Sequence, residues 1–415
     1  MHLNLVLIWA ISLASILCML LRPLRIGEAW WISAGAILLI VTRLLPFHQA
    51  IDAVCEGLDV YLFLTGMMIL AEMAREEKVF DWAASIAGLH ARNSPRRLFA
   101  LVYGVGILVT ALLSNDATAV VLTPAVLAAV RRARVSPKPY LLACALIANA
   151  ASFVFPISNP ANLVVFDGRI PALFAWLNIF LLPSIASIAI TFFCLRWRSR
   201  HEFEKPIEGE MQPAPLTTEG KLALTGLLVA AAALIVSSAC GLSLGAPTCG
   251  AAALALIIVA TRNRKIVASV ATGVSWSVLP LVAGLFVIVE ALESAGLLDA
   301  GLTGLRALAG WPGWSAKMAS ALVVALVSNG MNNLPVGLMS GAAIHHASES
   351  GIVAHAILIG VDLGPNLSVT GSLATILWLI ALRRENVEIT AAEFLKIGLI
   401  AMPAALLGSL LLLRN

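Results

Sequence analysis

Long apolar stretches separated by short polar loops fill the chain, and four of those stretches are interrupted by clusters of Asn, Ser, Asp and Pro. About 20 consecutive apolar residues suffice to cross a bilayer as a helix. The pattern predicts spans near 3–22, 29–46, 58–74, 140–166 and 172–195, then near 222–241, 246–261, 275–293, 352–381 and 393–413. Between the third and fourth span of each half lies a longer segment that turns at a polar cluster. The first covers 98–131, with its tip at Ser114–Thr118, and the second covers 317–344, with its tip at Ser328–Asn333. Both are expected to be re-entrant helical hairpins. The spans at 140–166 and 352–381 carry their own breaks, at Ser158-Asn-Pro-Ala-Asn162 and Asp362-Leu-Gly-Pro-Asn366, and are expected to be broken helices.

Hydrocarbon offers no partner for an open backbone group, so such breaks survive at membrane depth only when buried in protein or lining a wet cavity. A matched pair of breaks in each half points to a secondary transporter with its site near the midplane. Composition agrees. Of 415 residues, 60% are hydrophobic and 12% charged, against about 25% charged in soluble proteins. The expected class is an all-α polytopic membrane protein of two inverted-topology repeats, each of about five spans with a re-entrant hairpin and a broken helix. The repeats are placed at 1–197 and 222–415, joined by a charged, Pro-containing linker at 198–221.

Charge sets the expected orientation. With the N-terminus outside, 22 of the 27 lysines and arginines fall on the cytoplasmic side, leaving Arg43, Arg169, Arg306, Lys317 and Arg414 on the outer side. This follows the positive-inside rule and puts both termini in the periplasm of an inner-membrane protein. Taking either hairpin as a full crossing would spoil the segregation. The net charge of +4 implies no nucleic-acid partner, because the basic residues sit in short loops. The first apolar run, lacking a basic leader and a cleavage site, is expected to be a retained span. Six scattered cysteines show no metal-ligand spacing and read as small apolar side chains in packed helices, with Cys240–Cys249 a weakly signalled bridge.

The segments Ser114-Asn-Asp-Ala-Thr-Ala-Val-Val-Leu-Thr-Pro124, Ser158-Asn-Pro-Ala-Asn-Leu163, Ser328-Asn-Gly-Met-Asn-Asn-Leu-Pro335 and Asp362-Leu-Gly-Pro-Asn-Leu-Ser-Val-Thr-Gly-Ser-Leu-Ala-Thr-Ile-Leu-Trp378 resemble the signature segments of ArsB-type arsenite/antimonite efflux transporters. These belong to the ion transporter superfamily, with Na⁺/H⁺ antiporters and citrate carriers more distant. The resemblance implies export of trivalent arsenic or antimony hydroxide in exchange for protons, with no cofactor and no resident metal. Some members dock a soluble ATPase subunit on their cytoplasmic loops, which makes one a candidate partner. Where many relatives carry Asn-Leu-Val-Asn, this chain has Asn159-Pro-Ala-Asn162.

The residue chemistry leads the same way. Arsenous acid is neutral at pH 7 and offers three hydroxyls, each donor and acceptor. Amides supply both functions without a charge to desolvate. Candidate substrate-binding residues are therefore Asn115, Asp116, Ser158, Asn159, Asn162, Asn329, Asn332, Asn333, Asn366, Ser368 and Thr370. A carboxylate at the bilayer centre is costly and, where present, tends to be functional. Asp116 and Asp362 are thus the candidates to bind and release the coupling proton. Glu72, Glu76 and Glu77 are read as a cytoplasmic helix end, Glu290 and Glu293 as outer-vestibule candidates, and His345, His346 and His355 as an outer loop. The chief rival is a Na⁺/H⁺ antiporter. A carboxylate carrier would need Arg or Lys at the breaks, and none is there. An intramembrane enzyme would need motifs that the chain lacks.

Overall fold

The computed structural model describes residues 2–166, 170–204, 206–209, 214–296, 301, 303–304, 307, 311–347 and 351–414. Among them the fold is helical, without strands. The first half runs α1 (His2–Leu21), α2 (Glu28–Val41), α3 (Phe47–Glu56), α4 (Leu58–Glu76), α5 (Val79–His90), α6 (Pro95–Leu112), α7 (Thr123–Arg132), α8 (Lys138–Ala150), α9 (Pro160–Val165) and α10 (Leu173–Arg198). The second runs α11 (Thr218–Ala239), α12 (Gly245–Ala260), α13 (Ile266–Gly273), α14 (Val278–Ser294), α15 (Gly313–Met331), α16 (Asn333–His346), α17 (Ile352–Leu363), α18 (Leu373–Arg384) and α19 (Ala391–Leu412). Six described helices are long and apolar enough to cross a membrane, or seven if α3 and α4, bent by 48°, form one span.

Three helices escaped the hydropathy pattern. α3 carries His48, Gln49, Asp52 and Glu56, so it lacks the uniform apolarity of a span. α5 is only 12 residues long and α13 only 8. The histidines also differ from expectation. His345 and His346 close α16 rather than lying in a loop. His355 lies within α17, its ring 5.5 Å from Phe180 and 6.5 Å from Phe166. All six cysteines are free, so the 240–249 bridge does not form.

Neighbouring pairs recur in the two halves. α4 packs on α12 and α14 on α2, while α10 and α19 pack together. α6 lies against α8, as α15 lies against α17. The hairpins open at opposite ends of the bundle. α6 begins and α7 ends beside the linker: Ile207 N donates to Asn93 O at 3.4 Å and Gly209 N to Ala133 O at 3.3 Å. Arg131 and Lys138 meet Glu385 and Glu393 at this same end, at 3.1 and 2.6 Å. At the other end Lys317, near the start of α15, donates to Leu413 O at 3.2 Å.

Small residues let the second hairpin seat deeply. Gly337 faces Val164 and Val165 across the α9–α16 contact, and a Cβ at Gly341 would overlap the Val164 carbonyl oxygen. Because that obstacle is backbone, Gly341→Ala should force α16 off α9 and lower stability by about 1–3 kcal/mol. Thermal unfolding of the purified variant checks this; an unchanged midpoint would show the contact to be looser than it looks.

Candidate functional site

Each of the four interruptions has a local cause. At the first tip α6 ends at Leu112, and the Ser114 hydroxyl then accepts from Ala117 N at 3.2 Å. Ala117–Leu122 winds as a π-helix. Pro124 explains this winding in part, since it cannot donate to the carbonyl four residues back. Thr110 and Thr118 hydroxyls, 2.8 Å apart, tie the two legs. At the second tip Asn332 takes up φ 76°, and its side-chain oxygen accepts from Leu334 N at 3.2 Å to start α16. Asn tolerates positive φ better than most residues.

The broken helices are held by side-chain amides. Between α8 and α9 the carbonyls of Ser152, Phe155 and Pro156 have lost their helical partners, and Asn162 Nδ2 donates to all three at 2.9, 3.3 and 3.2 Å. Ser158 Oγ donates to Ala111 O at 3.1 Å, fastening this break to the first tip. Between α17 and α18, Asn329 Nδ2 donates to Gly364 O at 2.9 Å. Ser368 Oγ donates to Asn329 Oδ1 at 2.6 Å and Thr370 Oγ1 to Asn329 O at 2.9 Å.

The two breaks are also joined to each other. Asn366 Nδ2 donates to Leu146 O at 3.0 Å, and Asn149 Nδ2 to Asn366 Oδ1 at 3.0 Å. Asn159 Nδ2 donates to Asp362 Oδ1 at 2.7 Å, and its own oxygen accepts from Ala161 N at 3.0 Å. Asp362 is fully buried.

All four breaks border one small cavity of about 30 Å³. Asn115 and Asp116 reach it from the first tip, Asn159 from the first broken helix, Asn333 from the second tip and Ser372 from the second broken helix. Leu64, Val278 and Val282 complete it from α4 and α14. Each polar contributor stands where a helix starts. Asn333 opens α16, Ser372 caps α18, Asn159 caps α9, and Asn115 and Asp116 open the return leg of the first hairpin. Helix N-termini carry positive partial charge, so the cavity favours oxygen lone pairs.

A second cavity of about 90 Å³ shares Leu64, Asp116, Pro160 and Val278 with the first. It leads along α4 to Glu72 and Gly273. Glu72 is clasped by Arg75 through contacts of 2.9 and 2.5 Å. Gly273 lies against that carboxylate, and a Cβ there would push the Glu72 side chain aside. This vestibule opens toward the end that carries Glu77, Arg131 and Glu385. Among the described residues, neither cavity is lined by a Lys, Arg or His.

The structure divides the candidate residues into two groups. Asn115, Asp116, Asn159 and Asn333 border the cavity. Ser158, Asn162, Asn329, Asn366, Ser368 and Thr370 are engaged in holding the breaks, Asn332 shapes a turn, and Asp362 stands behind Asn159. Ser372, Glu72 and the α4 and α14 side chains were not singled out from sequence. Ser372 was accessible in principle, because Ser372-Leu-Ala-Thr375 before an apolar run is a helix-start pattern.

Residues 8–361 match the family model described as citrate transporter, CitMHS. The chain belongs to this transporter family. It is 28% identical over 410 residues to the arsenical pump membrane protein of Escherichia coli K12, covering 94% of each chain. The arsenical pump membrane protein of Yersinia enterocolitica is 28% identical over 347 residues, 80% of this chain and 81% of that one. These matches agree with the ArsB-type resemblance of the broken segments. The crystal structure of the YdaH transporter of Alcanivorax borkumensis superposes with a TM-score of 0.59 at 15% identity, covering 88% and 87% of the two chains, and shares the fold. The chain is therefore a multi-pass membrane transporter and not an enzyme.

Proposed function

We propose that this transporter exports trivalent arsenic as arsenite, and antimonite with it, from the cytoplasm in exchange for protons. The observation that carries this reading is the cavity where the four breaks meet: amides, one hydroxyl and one carboxylate at helix starts, with no cationic side chain. A tricarboxylate needs cationic partners to replace its hydration. A cavity of about 30 Å³ holds one or two water-sized groups, which suits a compact hydroxide better than citrate. The full-length similarity to arsenical pump proteins supports the same choice.

In this reading arsenite enters the vestibule along α4 and donates a hydroxyl hydrogen to the Asp116 carboxylate. Asn115, Asn159, Asn333 and Ser372 supply the remaining donors and acceptors, and release requires that none of them bind arsenic as tightly as a thiolate would. A proton reaching Asp116 from the opposite side turns the charged acceptor into a neutral acid with a donor of its own, which weakens its hold on the cargo, so the two ligands oppose each other. Asp362 takes part through Asn159, whose amide hydrogen bond depends on the charge across from it. Hairpins opening at opposite ends favour two inverted repeats that expose the cavity alternately. The Arg-rich end where the vestibule opens is assigned to the cytoplasm.

Everted membrane vesicles test the assignment. Arsenite and antimonite should accumulate when the lumen is acidified and should dissipate the pH gradient as they do so. Dissipation by Na⁺ alone would replace this function with Na⁺/H⁺ antiport, and uptake of citrate alone would restore the carboxylate reading.

A further inference from the structure

Where the first hairpin meets α10, a cavity of about 290 Å³ is lined by Arg96, Phe193, Arg196, Trp197, Arg200 and Phe203. Arg96 lies in the first turn of α6, Arg196 and Trp197 in the last turn of α10, and Arg200 in the 3₁₀ turn that follows. All three arginines are exposed, and among the described residues none is paired with a carboxylate. Glu202 contacts Ser136, and Arg200 Nε donates to His201 Nε2 at 3.2 Å, with Glu204 on the far side of that ring at 3.1 Å. Three convergent guanidiniums without a direct carboxylate partner call for an anion. The site also lies at the end of a 26-residue span, and Phe193 and Trp197 are 64% and 58% exposed beside it. Aromatic rings of this kind sit at the headgroup level of a bilayer.

We infer that this cavity binds the phosphate headgroup of an anionic phospholipid, with its acyl chains running along Phe193 and the outer face of α10. A free phosphate would use the arginines but leave the aromatic wall without a role. The floor of the cavity is the joint between hairpin and span. Phe203 stacks 5.1 Å from Phe99, Phe99 lies 5.5 Å from Phe192, and Tyr103 OH donates to Ile188 O at 2.7 Å. A headgroup bridging Arg96 to Arg196 and Arg200 therefore clamps the leg of the hairpin that leads to Asn115 and Asp116.

The test uses the full chain purified into mild detergent and titrated with phosphatidylglycerol, phosphatidylcholine or inorganic phosphate, with thermal unfolding as the readout. Phosphatidylglycerol should raise the midpoint, and the other two should not. Arg200→Gln should weaken the phosphatidylglycerol effect roughly fivefold, and the triple change Arg96→Gln, Arg196→Gln, Arg200→Gln roughly a hundredfold. Arg262→Gln with Arg264→Gln, basic positions outside this cavity, should leave it unchanged. Equal stabilisation by phosphatidylcholine, or an equal loss in the 262/264 variant, would overturn the site. Inorganic phosphate reproducing the arginine-dependent shift would overturn the lipid assignment. If the triple variant does not fold, Arg200→Gln alone decides, and undiminished affinity in it would refute the proposal.

Discussion

Everted vesicles carrying Asp116→Asn should take up no arsenite against its gradient, their signal falling to that of vesicles lacking the transporter. Asn is nearly isosteric with Asp, but its neutral amide stands in for the protonated acid. The cavity should therefore keep its shape while holding the cargo more weakly. What disappears is the group able to gain and lose a proton at the junction of vestibule and cavity. Downhill exchange of labelled for unlabelled arsenite should accordingly persist, which separates lost coupling from lost folding. Uptake that still follows the pH gradient in this variant would remove Asp116 from the coupling step and leave Asp362, behind Asn159, to account for it.

Asn162→Ala should have the largest effect on stability. The amide nitrogen of the fully buried Asn162 serves three carbonyls of the break. Water cannot replace it freely at membrane depth, and each orphaned buried acceptor costs about 1–3 kcal/mol. Sharing one donor among three acceptors weakens each bond, so the sum is put at about 3 kcal/mol or more. The expected result is a thermal midpoint well below wild type and poor accumulation in the membrane. Asn115→Ala, at the cavity rather than in the scaffold, should lower transport with little change in the midpoint. Wild-type stability of Asn162→Ala would mean that the break does not depend on this amide.

The contrast between these asparagines marks how far the sequence could be read. Apolar length and polar interruption predicted an all-helical membrane protein, because hydrocarbon permits few alternatives, and six described helices are long and apolar enough to cross a membrane. The amphipathic α3 and the short α5 and α13 were missed, since hydropathy averaged over a span dilutes a helix of 8–12 residues. Position alone also could not separate Asn159 from Asn162. They lie three apart on the same break, yet one borders the cavity while the other turns back onto Ser152 and Phe155. Which way an amide faces is set by the carbonyls that the break leaves open, and those exist only once the chain is folded. Glu72 does stand near the end of α4, but that it also borders the vestibule shows only once Gly273, distant in sequence, packs against it.

The shared wall between the two cavities has an electrical consequence. Water filling the vestibule carries the potential of one compartment down to Asp116, so nearly all of the transmembrane voltage falls across the sealed half beyond Asn333. A proton arriving through the open side then crosses little of the field. In the proposed exchange the work, about 2.3 kcal/mol per charge per 100 mV, is done when the seal changes sides with Asp116 either charged or neutral. Voltage should thus govern the rate of the conformational switch and leave cytoplasmic affinity for the cargo almost untouched.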